Sequence, residues 1–227
     1  MRKAHVNVID YITILTAGNA TDFGDLSQST YSNAGVSNET RGVFSNNGSG
    51  RGNTLEYVTI DTLGNTTDFG DLTRSTTSMA GNINSETRGV FSGGNDSGDT
   101  TSEVIDYITI DTTGNATDFG NLTLGRYGAS GLSSETRGVC ISGVSSGVTN
   151  TMDYITIATP SNATDFGDVS TGGVPTGGLT NNTRGVTSGM GSGQTTKIEY
   201  ITIDTTGNST DFGDLTVAKN SSAGVSG

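Results

Sequence analysis

One pattern recurs five times along the 227 residues and limits what the chain can fold into. The phrase Ile-Asp-Tyr-Ile-Thr-Ile at residues 9–14 returns, with small changes, at intervals of 46 to 50 residues, around Tyr57, Tyr107, Tyr154 and Tyr200. A second phrase, Thr-Asp-Phe-Gly, follows each of these and repeats a phenylalanine at Phe23, Phe69, Phe119, Phe166 and Phe212. A third phrase, Thr-Arg-Gly-Val, repeats an arginine at Arg41, Arg88, Arg137 and Arg184. A fixed period of this length indicates stacked structural units.

Each repeat is predicted to be a four-stranded antiparallel sheet. The Tyr phrase is rich in β-branched and aromatic residues, which favour a strand. The Thr-Thr-Gly-Asn that follows it has turn chemistry, so the Phe phrase is expected to return as the second strand of a hairpin. The Arg phrase supplies a third strand, and a weaker one precedes it, for example at residues 78–83. The 35 glycines argue against long helices.

A single sheet of this size buries too little apolar surface to be stable, whereas sheets stacked on copies of themselves bury enough. The sequence therefore predicts an all-β protein with one domain spanning residues 1–227, a five-bladed β-propeller of four-stranded antiparallel blades.

The two ends of the chain suggest how such a ring would close. The chain begins just before a Tyr phrase and ends with residues 223–227, which resemble residues 34–37, the strand before an Arg phrase. We expect the N- and C-terminal strands to pair, with residues 223–227 innermost in the blade that contains Tyr11, since an open ring leaves strand edges exposed. No Arg phrase accompanies that blade. The blade is thin, or another chain supplies the strand, or the chain is one piece of a longer array.

The charge balance argues against several classes of partner. The formal net charge is −12, with only 11 lysines and arginines. A surface of this charge repels phosphate backbones and anionic lipids, so neither nucleic acid nor a membrane surface is an expected partner. No run of 18 apolar residues occurs, and no membrane insertion is expected.

The residues do not suggest catalysis. The single histidine, His5, lies near a terminus, and no nucleophile and base have useful spacing. Active sites need different residues in different roles, whereas this chain offers the same residues five times. The single cysteine, Cys140, stands where other repeats carry Phe44 and Phe91, and is expected to be a small core residue. We predict no enzyme activity and no cofactor.

The repeated carboxylates and arginines have both a functional and a structural interpretation. Asp22 and Asp25 recur as Asp68 and Asp71, Asp165 and Asp168, and Asp211 and Asp214, with Asn121 at the second position of the third copy. Clustered oxygens suit Ca²⁺, but residues three apart on a strand diverge, so surface carboxylates and turn caps are favoured and no metal is predicted. The arginines are expected to pair with these carboxylates or with backbone carbonyls between blades, and the phenylalanines to be buried between blades.

The order of the phrases resembles kelch-type repeats, which carry a Gly-containing inner strand, a strand ending in Gly-Gly, a Tyr strand and an aromatic outer strand. Ala80-Gly81, Gly93-Gly94, Tyr107 and Phe119 stand in that order. The double glycine occurs only once, and its counterparts are Asn46-Asn47, Ser142-Gly143 and Ser188-Gly189. No tryptophan is present, so the resemblance covers the layout of the repeat.

The amino-acid sequences of the three repeated phrases resemble, over essentially the whole chain, repeats in large virion proteins of marine phages, particularly cyanophages. That resemblance implies a viral structural protein, tail- or capsid-associated, made in the host cytoplasm and located in the virion. Its expected partners are other virion proteins or copies of itself. Two alternatives remain open, a receptor- or glycan-binding head on a phage fibre and a secreted bacterial adhesin or lectin.

Overall fold

The computed structural model describes residues 6–30, 33–47, 50–96, 98, 100–175, 177–188, 193 and 195–219. Every regular element within these residues is a β-strand, so the fold is all-β, as predicted. The twenty strands fall into five successive antiparallel units, one for each repeat.

The units contain the following strands. Unit 1 has β1 (Val6–Tyr11) and β2 (Thr21–Thr30). Unit 2 has β3 (Gly35–Ser37), β4 (Arg41–Asn46), β5 (Gly52–Thr59) and β6 (Thr67–Thr77). Unit 3 has β7 (Ala80–Asn84), β8 (Arg88–Ser92), β11 (Val104–Thr109) and β12 (Thr117–Asn121), with the short hairpin β9 (Asn95–Asp96) and β10 (Thr100–Thr101) between. Unit 4 has β13 (Ser130–Ser133), β14 (Arg137–Val144), β15 (Val148–Thr156) and β16 (Thr164–Asp168). Unit 5 has β17 (Gly177–Thr180), β18 (Arg184–Ser188), β19 (Thr195–Thr202) and β20 (Thr210–Lys219).

The pairing within each unit follows the order of the phrases. In units 2 to 5 the weak first strand pairs with the Arg strand, the Arg strand with the Tyr strand, and the Tyr strand with the Phe strand. The β9–β10 hairpin, which the sequence did not predict, adds to β6 and extends the sheet of unit 2 to six strands. Unit 1 consists of only its Tyr and Phe strands among the described residues.

All five outer hairpins share one irregularity. The register between the Tyr strand and the Phe strand shifts just before the residue that precedes the tyrosine, for example between Ile105 and Asp106. The same shift lies between Leu55 and Glu56 and between Met152 and Asp153. A register shift of this kind changes the direction of a side chain relative to a regular strand. The residue at the shift is an aspartate or glutamate in every unit.

Successive units pack face to face and share their hydrophobic cores. The first core joins unit 2 to unit 3, with Val43 and Leu55 on one side and Ile108 and Ile110 on the other. A second core joins units 3 and 4, and a third joins units 4 and 5. The Tyr strand of unit 3 thus contributes to two cores, with Ile108 in the first and Ile105 in the second.

The two end units leave part of this apolar surface exposed. Phe23, Phe69, Phe119 and Phe166 are buried. The expectation of burial is wrong for Phe212, which is 53% exposed. The reason is that each buried phenylalanine is covered by the next unit, and among the described residues no unit covers unit 5.

The predicted closure of the ring depends on residues 223–227, which lie outside the described residues. No strand pairing within the described part joins unit 5 to unit 1. Closure by the terminal strands therefore stays a prediction.

The described residues include no helix long and apolar enough to cross a bilayer.

Candidate functional site

The most regular feature of the molecule is the contact between one unit and the next, called here a joint and numbered by its two units. At each joint the earlier unit contributes its trailing face, which carries the Phe strand. The later unit contributes its leading face, which carries the acid before the tyrosine and the turn between its Tyr and Phe strands. Joints 1/2, 2/3, 3/4 and 4/5 are all formed.

The repeated arginines belong to the joints. The guanidinium of each arginine lies over the tyrosine ring of its own unit, 4.2 to 4.5 Å from the ring centre. Arg41, Arg88 and Arg137 also donate a hydrogen bond to a carbonyl of the next unit, at Ile110, Ile157 and Ile203 respectively. These are the inter-unit backbone carbonyls that the sequence suggested. Arg184 stacks on Tyr200 but donates to no carbonyl among the described residues.

The repeated phenylalanines lie at the same joints. Each packs edge-on against the tyrosine of its own unit, with ring centres 5.8 to 6.1 Å apart. The tyrosine ring is therefore held between a phenylalanine and an arginine in units 2 to 5. Edge-to-face and cation–π contacts each add a specific geometry to the burial of apolar area.

The turn of each later unit fits against the phenylalanine of the earlier one. At joint 2/3 the amide of Gly114 donates to the Phe69 carbonyl at 2.7 Å, and the Asn115 side-chain oxygen accepts from the Asp71 amide at 3.1 Å. A side chain at Gly70, which has φ +139°, would meet the Gly114 carbonyl at 2.4 Å. Gly24, Gly120 and Gly167 meet the same obstacle at the other joints, so only glycine allows the two backbones to approach this closely.

A buried acid of the later unit completes each joint. These joint acids are Glu56, Asp106, Asp153 and Glu199, none more than 2% exposed. Each accepts hydrogen bonds from a serine or threonine of the earlier unit's Phe strand, at Ser27, Thr73, Thr123 and Ser170 respectively. A buried carboxylate is costly unless it is hydrogen-bonded, so these contacts fix the position of one unit on the next.

The joints fall into two chemical types. Where the acid is glutamate, the residue ten positions later is a hydroxyl that donates to it, as Thr66 does to Glu56 at 2.8 Å and Ser209 to Glu199 at 3.2 Å. The partner from the earlier unit is then a serine. We call this the Glu-type joint.

Where the acid is aspartate, the shorter side chain is not bonded by the residue ten positions later, which is Ala116 or Ala163. The earlier unit supplies a threonine and an arginine instead. Arg74 lies 3.1 Å from Asp106, and Arg126 lies 2.7 Å from Asp153, with both side chains of the second pair fully buried. This is the Asp-type joint.

Two of the joint acids, Glu56 and Asp106, have pKa values that are shifted in opposite directions. Burial raises the pKa of Glu56, but the hydrogen bonds from Ser27 and Thr66 outweigh it and hold the pKa below its ordinary value. At Asp106 burial wins over the hydrogen bonds from Thr73 and the charge of Arg74, and the pKa is raised.

A separate polar cavity of about 530 Å³ opens where the turns before the Arg strands converge. Its lining comes from residues 37–39, 84–86, 135 and 180–182. In each of these turns the first residue caps the backbone, as where Asn38 accepts from the Arg41 amide at 2.9 Å. The second residue is the exposed Glu39, Glu86 or Glu135, or Asn182 in unit 5. The rim is therefore acidic and rich in hydrogen-bonding groups.

The repeated aspartates are spread over the surface. Asp22, Asp68, Asp165 and Asp211 are exposed, whereas Asp25 and Asp71 are half-buried and take part in joints mainly through their backbone amides. Among the residues with a described position, no three acidic, histidine or cysteine side chains could share a metal ion. Cys140 is buried, and His5 lies outside the described residues.

Sequence reasoning missed both the joint acids and the acidic rim. The joint acids were read as part of a strand phrase, although an acid among β-branched residues in all five copies was a signal of a buried polar contact. The rim could have been found from the Glu that stands two residues before Arg41, Arg88 and Arg137.

No family model matches the sequence, and no curated protein is detectably similar to it. The fold is similar to that of the solved structure "Structure of YjhT", with a TM-score of 0.66 and 9% sequence identity. The match covers 82% of this chain and 66% of YjhT, slightly under two thirds of that protein. At this level of identity the likeness concerns the fold alone. YjhT is one of 142 matching chains, so it is an example of the fold and not a special relative.

Proposed function

We propose that the five units are blades of the β-propeller type, five in each chain, and that the protein is a non-catalytic structural and interaction module. The observation that carries this proposal is the joint, which recurs four times with an equivalent glycine, turn and buried acid, and at three of the four with an equivalent arginine. The recurring polar and charged groups are used to hold one unit on the next. The repeated arginines and buried acids, which could otherwise serve in catalysis, form hydrogen bonds that hold the units together as a scaffold.

The setting we propose is a phage virion, where the module packs against other virion proteins or copies of itself. The support comes from the similarity of the repeat phrases to those of marine phage virion proteins. The strongly acidic surface is compatible with protein partners and disfavours nucleic acid. The repeated apolar edges at units 1 and 5 provide surface for packing.

The experiment is to raise antibodies against the purified chain. These antibodies then label particles purified from a lysate of marine bacteria infected with the phage that encodes the protein. Mass spectrometry of the same particles should detect its peptides at a stoichiometry of several copies per particle. Gold label confined to one part of the particle would locate it there. Peptides found only in the soluble cell fraction, with none in the particles, would contradict the virion setting.

A second function is favoured by one observation, the polar cavity of about 530 Å³ with its acidic rim. Hydroxyl, amide and carboxylate groups converging on an open cavity suit a polyhydroxylated ligand, which makes a glycan-binding head the alternative. A glycan array would test it. Binding that is lost in Glu86→Gln and retained in Glu103→Gln, a change at another glutamate outside the cavity lining, would favour this alternative.

A further inference from the structure

The trailing face of unit 5 has the composition of a joint but no partner among the described residues. Phe212 is 53% exposed and Leu179 is 38% exposed, whereas their counterparts at the formed joints are at most 8% exposed. Val186, Ile198 and Leu215 are half-buried, although the equivalent residues of units 2 to 4 are fully buried. Gly213 keeps φ +138°, the conformation of the joint glycines, with nothing within 4 Å of a Cβ placed there. The trailing face of unit 5 thus has the residues and the glycine conformation that receive a leading face at the four formed joints.

The leading face of unit 1 is exposed in the complementary way. Ile12 and Ile14 are 56% and 69% exposed, whereas their counterparts in units 3 to 5 are at most 5% exposed. The turn at residues 15–20 is exposed and contacts no phenylalanine strand of another unit among the described residues. Contiguous exposed apolar residues of this extent mark a protein interaction surface.

The two faces also match in joint type. Unit 1 carries Asp10 with Ala20 ten positions later, the combination of an Asp-type joint. The acid of such a joint accepts a hydrogen bond from a threonine of the trailing face. Unit 5 has Thr216 at the position of Thr73 and Thr123. A Glu-type trailing face would carry a serine at that position, as Ser27 and Ser170 do. The trailing face of unit 5 therefore carries the residue that matches the leading face of unit 1.

We propose that the trailing face of unit 5 binds the leading face of unit 1 of a second copy of this chain, head to tail. The occupant is unit 1 of a second copy, because both faces are exposed at once among the described residues and the chain's own first turn does not lie on Phe212. Closure of unit 5 on unit 1 of the same chain would instead give the mass of one chain at every concentration. A contact between two different faces of identical chains is heterologous, so it propagates into a filament or closes into a larger ring. This inference rests on the proposed structural function and names the surface through which copies assemble.

The formed joints specify the contacts. The Arg184 guanidinium donates to the Ile14 carbonyl of the second copy, the Gly18 amide donates to the Phe212 carbonyl, and the Asn19 side chain accepts from the Asp214 amide. The Thr216 hydroxyl donates to Asp10. Because each chain has a net charge of −12, added salt should screen the repulsion between copies and strengthen the association.

Light scattering coupled to size-exclusion chromatography tests the proposal on the full chain. We expect a mass that rises with concentration to at least twice the 23.1 kDa of one chain. Ile14→Asp disables the leading face at a residue that is exposed in the single chain, so the fold should survive and the mass should fall to that of one chain. Phe212→Asp disables the trailing face, and Leu179→Asp repeats the test if Phe212→Asp does not fold. Val148→Asp, at a residue 50% exposed in a unit 4 hairpin, is the matched control and should associate like the unchanged protein.

Mixing gives the sharper result. Ile14→Asp retains a working trailing face and Phe212→Asp retains a working leading face, so a mixture of the two single chains should form a species of two chains and no larger one. Asp10→Ala and Thr216→Ala should each weaken association, because each removes one partner of the hydrogen bond between the two copies.

An unchanged chain that stays at 23.1 kDa at every concentration overturns the proposal, and so does association that Ile14→Asp leaves intact. If Ile14→Asp and Phe212→Asp each abolish association but their mixture forms no two-chain species, the contact is not head to tail. A chain that never associates and is nevertheless found in purified particles refutes this inference alone. A chain that associates as described and is missing from particles refutes only the proposed virion setting.

Discussion

Replacing one repeated phenylalanine at a formed joint and its equivalent at the open end should have very different costs. Phe119 is 3% exposed and packs in the core that joins units 3 and 4, with the Tyr107 ring 5.8 Å away. Phe212 has the same sequence context and the same contact with its own tyrosine, at 6.1 Å, but is 53% exposed. The two positions differ in one respect, which is the presence of a following unit.

The magnitude follows from that difference. Phe119→Ala removes a nearly fully buried ring and leaves a cavity, which costs about 3–5 kcal/mol. Phe212→Ala removes a ring that is already half in water, so it forfeits only part of the burial energy of a phenylalanine, roughly 1 kcal/mol. The expected gap between the two variants is therefore about 2–4 kcal/mol, well above the error of a careful measurement.

The assay is urea unfolding followed by far-ultraviolet circular dichroism and tyrosine fluorescence, at a concentration where the chain is single. The free energy of unfolding comes from linear extrapolation, with the slope compared between variants to check that the same surface unfolds. A loss below about 1 kcal/mol for Phe119→Ala, or equal losses for the two variants, would refute the assignment of Phe119 to a packed joint.

Three further predictions concern the repeated charged residues. Arg88→Ala should lower the free energy of unfolding by about 1–3 kcal/mol through loss of its charged hydrogen bond and ring contact. Arg184→Ala should lower it by less, since Arg184 makes the ring contact but no carbonyl contact to a described residue. Equal losses in urea titrations would contradict the role of the carbonyl contact. Glu56→Gln should reduce the decrease in the free energy of unfolding at low pH. The pKa of Glu56 is lowered in the folded protein, so the ionised form stabilises the fold above the ordinary value of 4.5, and this contribution is lost as the pH falls through the lower folded pKa. The same pH dependence for both proteins, in urea titrations from pH 3 to 6, would count against this role of Glu56. Chelator treatment should leave the melting temperature unchanged, because Asp22 and its equivalents lie dispersed on the surface, and a drop that Ca²⁺ reverses would show a bound ion.

Much of the fold was predictable because the same strand and turn patterns recur along the chain. The Tyr, Phe and Arg strands and the turns between them follow from β-branched residues and turn chemistry that act locally. The hairpin at Asn95–Asp96 and Thr100–Thr101 was not predicted, because it occurs in one unit only and two-residue strands carry no periodic signal. The exposure of Phe212 was missed because a repeat pattern describes a position inside an array and contains no information on whether a neighbour is present.

The candidate site was less predictable than the fold. The inter-unit role of Arg41 was suggested by the residue type, since a guanidinium satisfies backbone carbonyls well. The joint acids were not recognised, because Glu56 and Asp106 alternate with apolar residues as solvent-facing residues do. Only the register shift in the outer hairpin turns them into the joint, and a shift in register depends on how two strands meet.

The division into Glu-type and Asp-type joints has a consequence for how such a chain can grow or shrink by recombination between its own repeats. Loss of unit 3 would bring the trailing face with Thr73 and Arg74 against Asp153, which is the pairing it already makes with Asp106, so the shortened chain would keep every joint matched. Loss of unit 4 would instead place the buried Arg126 against Glu199, in a joint whose hydroxyl at Ser209 is already bonded to that acid. A shortened or lengthened chain is therefore expected to be stable only when recombination brings a trailing face against a leading face of the same joint type. This requirement restricts the orders in which the units can follow one another.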